Sequence, residues 1–563
     1  MKNPLKKWKG RMVMAGLALY LFSCNTSSPV NAPQLVEKDN IYAGIEFEMP
    51  KVKEASFKDY SVKITDFGAV GDGITNNKEA ITSTIEMAAK KGGGKVIIPR
   101  GVWLTGPIQL KSNINLHLED GALLVFSKDF DEYPLIETSF EGLDTYRCIS
   151  PIYGKDLTNI AITGKGIIDG SGDAWRPVKK SKLTENQWNK LVKSGGVLSE
   201  NKQTWYPSES SRKGDQKDNF NVPNFDDPKE FEKVKDFMRP VLLSLVDCKK
   251  VLLDGPTFQN SPAWNLHPLM CEDVIIRNLT VKNPWYSQNG DGLDLESCKN
   301  ALIYNNTFDV GDDAICIKSG KNEDGRKRGM PTENVIIKNN IVFHGHGGFT
   351  IGSEMSGGVK KMHISNCTFI GTDIGLRFKS TRGRGGVVED IFISKIDMMN
   401  IPAEAIKFNS FYEGKSPVDT KGGKNNIEDT EEDLPPVTEE TPAFKNISLK
   451  EIHVSNSEIA AFFQGLPEKH LSNISLENST FEVNKGMFLI NSDAFTMKGI
   501  DIKLQKGKAL TIFNCNDVTV DALAADIVEN KGQHVISIEG KTNKHINITN
   551  SSIDPSLISG LEK

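Results

Sequence analysis

Beyond residue 100 the chain repeats one small theme. Runs of apolar or alternating residues recur, among them INLHLEDGALLVF, LTNIAITGKGIIDG, RPVLLSLVDCKKVLLDG, DVIIRNLTV, ALIYNNTFDV, NVIIKNNIVF, KMHISNCTFI, NISLKEIHVSN and NISLENSTFEV. Each is strand length and is broken by Gly, Asn, Asp or Ser, which predicts strands with turns between them. No comparable long helical pattern intervenes. A sandwich or barrel would also be written in strands, but two features favour a parallel β-helix. The spacing from run to run is 20–35 residues, longer than hairpin spacing. An Asn also recurs at the same place beside the apolar pair, as side chains stacked at a repeated turn would require.

The segment before this pattern, 63–99, reads as strand, glycine turns, helix and strand. Asn77 is the expected N-cap, and Ile81, Ile85, Ala88 and Ala89 form one apolar face. Gly92 to Gly94 end the helix, which is expected to cap one end of the solenoid. Two insertions interrupt the coils. The first, 171–237, contains a short helix with a Thr184/Gln187 capping box, a Leu183/Trp188 staple and a stop at Gly195. The second, 414–442, is acidic and Pro-containing and is expected to be a solvated loop.

At the N-terminus Lys2, Lys6, Lys7, Lys9 and Arg11 precede the apolar run MVMAGLALYLF, too short to cross a bilayer. The pattern is that of a signal peptide. Leu21-Phe22-Ser23-Cys24 resembles a bacterial lipobox. Residues 1–24 are therefore expected to be a lipoprotein signal peptide with Cys24 as the lipidated residue, residues 25–58 a tether, and residues 59–560 one catalytic domain. Membrane contact is expected only through the lipid anchor, in the periplasm or attached to the outer membrane. The protein is expected to be a monomer.

Composition narrows the class. The chain has 563 residues, 38% hydrophobic and 25% charged, enough to bury a large core. Its formal net charge of −5 argues against nucleic acid as a partner. Beyond Cys24 there are seven cysteines, with no CxxC pair and no metal spacing; they read as buried packing residues, with disulfides left open.

Chemistry gathers in four segments: SQNGDGLDLES (287–297), VGDDAICIKSG (310–320), HGHGGFTIGSE (344–354) and IGLRFKSTRGRGG (374–386). From Asp291 to Asp312 is 21 residues, from Asp312 to His346 is 34, and from His346 to Lys379 is 33. If each interval is one coil, these groups lie above one another at roughly the 4.8 Å strand spacing. Three acids, a histidine and a basic pair then form a cleft. Asp312 and Asp313 are adjacent and would face opposite ways on a regular strand, so a bend is expected there, permitted by Gly311. Clustered carboxylates cannot all ionise cheaply, so one should stay protonated near neutral pH. His346 alone would read as structural; its place in the series makes it a site residue. Arg377 and Lys379 share a strand face and can grip one carboxylate. Arg382, Arg384 and Lys318 are candidates to extend a local cationic field. Asp294 and Glu296 beside Asp291 keep a metal-ligand reading in play.

These elements resemble glycoside hydrolase family 28, the polygalacturonase family, over about 60–560. The family's Asn-Thr-Asp element stands as Asn289-Gly290-Asp291, with Thr replaced by Gly. Its Gly-Asp-Asp is Gly311-Asp312-Asp313, its Gly-His-Gly is Gly345-His346-Gly347, and its Arg-Ile-Lys is Arg377-Phe378-Lys379. The resemblance implies a right-handed parallel β-helix and inverting hydrolysis without a cofactor. It implies Asp312 as general acid, Asp291 and Asp313 orienting and activating water, and His346 in support. It also implies Asn289, His267, Arg377, Lys379 and Tyr412 at the sugar, with Trp264 in the core. Inversion calls for an acid and base roughly 6.5–9.5 Å apart. The expected substrate is the galacturonan of pectin, an acidic polysaccharide, cut from the chain end because the 171–237 excursion walls off the cleft. Rhamnogalacturonan hydrolysis is the alternative within the family. A β-helix polysaccharide lyase and a non-catalytic glycan-binding β-helix are the rivals outside it.

Overall fold

The computed structural model describes residues 41–216, 221–412, 434–529 and 534–560. The expected leader, the expected lipidation site Cys24, the first part of the expected tether and most of the 414–442 insertion lie outside them.

The strands wind into a right-handed parallel β-helix. One face of the solenoid carries the site. Its strands Leu266–Leu269, Leu293–Glu296, Ile315–Lys318, Gly347–Ile351 and Ile374–Lys379 pair in parallel, each with the next. Their alternation sets which residues meet. Leu293, Ile315, Phe349 and Leu376 are in register and buried in the interior. The next positions, Asp294, Cys316, Thr350 and Arg377, form an in-register row on the opposite side of the same strands. Aromatic stacking continues the interior: Phe378 and Phe408 lie 4.0 Å apart, centroid to centroid, and 6° from parallel.

The recurring asparagines have a backbone reason. Asn300, Asn305, Asn334 and Asn339 all sit at φ near +57° to +58°, a left-handed turn conformation that Asn tolerates better than most residues. Their side chains ladder from coil to coil. Asn339 Nδ2 donates to Asn305 Oδ1 at 2.6 Å, and Asn340 Oδ1 accepts from both Asn306 N and Nδ2 at 3.0 Å. The seven cysteines from Cys148 onward are free and buried, so they pack rather than bridge.

The cap helix spans Lys78–Lys90 and buries Ile81, Thr84, Ile85 and Ala88 against the first coil. Asn77 does not cap it with its side chain. Its Nδ2 instead donates to the carbonyls of Val70, Thr75 and Leu104 and its Oδ1 accepts from Val70 N, tying the preceding loop to the coil.

The expected tether is corrected over its described part. Residues 41–57 form a strap across the outer surface of a second face. Ile41 is buried, and Tyr42, Ile45, Met49, Val52, Ala55 and Phe57 pack on a cluster that includes Ala161, Leu252, Ile275, Leu302 and Ile336. These five form one in-register outward row. Glu54 pairs with Arg277 at 2.8 Å, and Glu46 Oε2 lies 2.6 Å from His363 Nδ1. The apolar residues of 41–57 are too irregularly spaced to show a period, which hid their role.

The described residues of the 171–237 excursion are folded. Its helix Glu185–Lys193 carries the expected capping box. A small antiparallel sheet joins Val178–Lys179, Thr204–Tyr206 and Val197–Leu198, around a core of Val178, Trp188 and Trp205. A further antiparallel hairpin, Leu135–Phe140 with Leu143–Cys148, has no counterpart in the sequence reading. Its turn is Glu141-Gly142, both at positive φ, a two-residue hairpin geometry.

Candidate active site

The bend expected at Gly311 is present immediately before strand Ile315–Lys318. Glycine serves there through its lack of a side chain: a Cβ would collide with Ser287 Oγ. The same hydroxyl occupies the space that a Cβ on Gly290 would need. The departure from Asn-Thr-Asp to Asn289-Gly290-Asp291 is therefore matched by Ser287, whose Oγ is fixed by donation to Pro284 O at 2.6 Å.

The bend brings Asp291, Asp312 and Asp313 together. One carboxylate oxygen from each lies within 4.8 Å of the others, nearer than the expected inverting gap. Each carboxyl has a different setting. Asp313 is buried; its Oδ1 accepts from Arg377 at 2.9 Å and its Oδ2 from Lys379 at 2.8 Å. Burial would raise its pKa, but Lys379 and Arg377 overcome this and hold it far below the usual carboxylate range. Asp312 Oδ1 lies 3.0 Å from His346 Nδ1. Burial raises that acid too, and the His346 hydrogen bond and charge bring it below its ordinary value. Among the described residues Asp291 makes no ion pair, although Lys318 pulls its value down. Burial, then Asp294 and Asp312, push it well above the ordinary value, and its Oδ1 is buried without a hydrogen-bond partner among the described residues. Of the three, Asp291 is thus the carboxyl whose environment favours the protonated form.

His346 faces two acids, Asp312 and, at 3.8 Å from Nε2, Asp373. The hydrogen bond to Asp312 raises its pKa. Sequence spacing had aligned Lys379 with His346. In the structure Lys379 stands at the far end of its strand and reaches back to Asp313 through its long side chain. The carboxylate that Arg377 and Lys379 hold is the protein's own. Tyr412 covers them, its ring centroid 4.9 Å from Lys379 Nζ and 5.8 Å from the Arg377 guanidinium carbon.

A layer of paired charges that the sequence reading had only partly singled out backs the site. Lys318 Nζ lies 3.0 Å from Asp294 Oδ1, 4.0 Å from Glu354 Oε2 and 3.6 Å from the centroid of Trp264. Burial pushes Asp294 up to about 6 against the pull of Lys318. Asn289 Oδ1 accepts from the buried Arg239 at 2.9 Å. His267 does not reach the cleft as expected. It is 1% exposed, its Nε2 sits 2.9 Å from Glu296 Oε2, and it meets Trp264 edge-on. Glu296 is paired on its other side with Arg328 at 2.6 Å. Ammonium groups already serve Asp294 and Asp313, so these acids do not fit a divalent cation. Trp264 is buried, as expected. Arg382 and Arg384 are not part of the site: Arg382 is held by Glu468 and Arg384 donates to Asn322.

Two adjoining cavities meet at Asp312, Asn289 and Asn221. One of about 210 Å³ contains Asp291, Asp313, Lys379 and Tyr412 and is bounded by Glu141, Asn221 and Lys321. The other, about 360 Å³, contains His346, Trp285 and Tyr286. The wall at Glu141 is tied down: Asn221 Nδ2 donates to Glu141 Oε1 at 2.5 Å, and Lys321 N donates to Gly142 O at 3.0 Å.

Residues 194–433 match glycosyl hydrolases family 28, and residues 61–131 match a family described as rhamnogalacturonase A/epimerase, pectate lyase-like. The hyperthermoactive exopolygalacturonase of Thermotoga maritima has a similar structure, with a TM-score of 0.61 at 30% identity. The match covers 80% of this chain and 94% of that one. The chain belongs to glycosyl hydrolases family 28. As a member it is a glycosidase, and paired carboxylates at a cleft are what glycosidic hydrolysis requires. Among curated relatives, a probable polygalacturonase of Vitis vinifera is 28% identical over 438 residues, 76% of this chain and 75% of its own. An exo-poly-alpha-D-galacturonosidase of Dickeya chrysanthemi is 29% identical over 359 residues, 61% of this chain and 56% of its own.

Proposed function

We propose that the protein hydrolyses α-1,4-galacturonosyl linkages of pectin from the chain end. The observation that carries the end-wise reading is the bounded chamber. Beside the three carboxylates it is closed by Glu141 of the hairpin and Asn221 of the excursion, which are bonded to each other. A through-running polymer would need that wall absent. The relatives named as exo-acting favour the same reading.

In the proposed mechanism a water attacks the anomeric carbon as the glycosidic C–O bond breaks. Asp313, held ionised, takes the water's proton. Asp312 relays the proton of protonated His346 to the leaving oxygen, which leaves the imidazole neutral. Asp291 hydrogen-bonds the water through Oδ1, the oxygen that has no partner among the described residues. General acid–base steps of this kind contribute about 10²–10⁴-fold each. This single displacement inverts the anomeric centre. The close approach of the acids does not by itself argue for that outcome; the family resemblance does.

The test is product analysis with polygalacturonate and, separately, rhamnogalacturonan, using Asp312→Asn as control. Monogalacturonate as the sole early product, lost in the variant, supports the proposal. Activity on rhamnogalacturonan alone moves the substrate. The β-anomer of the released sugar, seen first by proton NMR, supports inversion at an α linkage. We also propose export and lipid anchoring through Cys24. Radiolabelled palmitate incorporation that persists in Cys24→Ser would refute that.

A further inference from the structure

We propose that Trp285, Lys182 and Lys179 form an additional subsite for a uronate ring of the polysaccharide, beside the catalytic group. The proposal rests on the galacturonan reading above and extends it. The 360 Å³ cavity that contains Asp312, His346 and Asn289 is also lined by these three residues. Trp285 is 57% exposed, an unusual state for the largest apolar side chain. It sits on a turn fixed by Ser287 N donating to Pro284 O at 2.9 Å. Lys182 Nζ stands 5.0 Å from the centroid of the indole. Among the described residues neither Lys179 nor Lys182 makes an ion pair. Asp215, the other acid lining the cavity besides Asp312, accepts a hydrogen bond from Tyr206.

Each part has a chemical meaning. The carbon-bound hydrogens of a pyranose face pack on an exposed indole, and an ammonium beside the indole takes the ring's carboxylate. An indole alone would accept neutral and acidic sugars equally. The lysine makes the pair selective for the acid. Placement is rigid: Lys179 and Lys182 flank a short turn that leaves the small sheet of the excursion. That sheet is packed around Trp188 and Trp205, and Trp205 Nε1 donates to Gly195 O at 2.7 Å. The excursion therefore supplies a binding element as well as part of the chamber wall.

The test uses the full chain with Trp285→Ala, Trp285→Tyr, Lys182→Met and Lys182→Arg. KM and kcat are measured on oligogalacturonates at two salt concentrations. Binding of trigalacturonate is measured by calorimetry with each change placed in Asp312→Asn. Trp285→Ala is expected to raise KM and Kd about tenfold while kcat moves little. Trp285→Tyr should restore most of the loss. Lys182→Met should raise KM several-fold and flatten its salt dependence, and Lys182→Arg should keep both. Parental KM and Kd in Trp285→Ala and Lys182→Met, with an active parent, overturn the subsite alone. A loss that falls equally on kcat and melting temperature also overturns it. A parent inactive on every galacturonide overturns the proposed function, and this subsite with it.

Discussion

His346 Nδ1 lies 3.0 Å from Asp312 Oδ1, and the two shift each other in opposite directions. The histidine is raised and the acid lowered, so the pair holds one proton on the imidazole over a wider pH range than either would alone. In the proposed mechanism that proton is the one delivered. Activity is then lost as pH rises through the raised His346 value, above the ordinary imidazole value of about 6.5. On the acid side it persists until Asp313, the lowered base, protonates, below the ordinary value of about 3.9. His346→Gln should abolish the basic limb of the kcat/KM profile and reduce kcat by about 10²-fold or more. A basic limb unchanged in His346→Gln would remove the histidine from the proton path.

Asp291 is placed at a cost. Its folded-state pKa is raised by burial and by Asp294 and Asp312, so the folded state binds this proton more tightly than the unfolded chain does. Stability from this group is greatest below the unfolded value, near 3.9, and falls as pH rises from there toward the raised value. Asn at this position carries no charge to desolvate. Asp291→Asn should therefore be more stable than the parent at pH 7, by about 1 kcal/mol, and nearly inactive. Thermal melts at pH 3.5 and pH 7 check the sign: the difference should be present at the higher pH and shrink at the lower.

Lys318 is buried between Asp294, Glu354 and the Trp264 ring. Removing one partner of a buried pair leaves an uncompensated charge, typically at a cost of about 3–5 kcal/mol. Lys318→Met is expected to show that loss in denaturant unfolding. The double change Lys318→Met with Asp294→Leu should recover a large part of it, because both charges then leave the interior. A double variant no more stable than Lys318→Met would mean the pair is not the source of the loss.

Most of the coil architecture is legible in the sequence because a solenoid writes its period directly. The Asn turns, the apolar interior and the helix Lys78–Lys90 follow from local pattern. The gathering of Asp291, Asp312, Asp313 and His346 is legible too, since the bend and the coil period bring them together. What was hidden acts across long separations. His267 reads as a cleft residue from its neighbours, yet Glu296, 29 positions on, captures its ring. Arg377 and Lys379 point to a carboxylate, but nothing local says that Asp313 supplies it. The Glu141-Gly142 turn lacks the Asn-Gly signature of a tight hairpin, so the hairpin that bounds the chamber went unread. Residues 41–57 carry no period because they cross the strands instead of joining them.

The strap gives a stability prediction. Ile41 is buried at a cluster built from five successive coils, and the Glu54–Arg277 ion pair and the Glu46–His363 hydrogen bond tie the strap to different coils. Its docking bridges coils that otherwise touch only their neighbours, the weak point of a solenoid. Ile41→Ala should cost about 2–5 kcal/mol, as for other buried aliphatic truncations, with kcat on galacturonate oligomers preserved, since the strap lies on a different face from the acids. A chain beginning at residue 59 should melt earlier still. Melting temperatures equal to the parent's in both would show that the strap is not a clamp.

The proposed end-wise attack is expected to depend on the hairpin tip. Glu141 and Gly142 press on Gly320 and Lys321 so closely that a Cβ on Gly142 would lie 2.6 Å from Lys321 N. Asn221 then bonds Glu141 and closes the same wall. Replacing residues 139–143 by a shorter turn should remove Glu141, release Asn221 and open the chamber past Asp291 without touching the three acids. The expected outcome is a shift from monogalacturonate as the sole early product to a ladder of oligomers. Polygalacturonate viscosity should then fall several-fold faster per bond cut. If the shortened variant is active and still releases only monomer, the end-wise limit lies elsewhere in the cleft and the wall at Glu141 is not its cause.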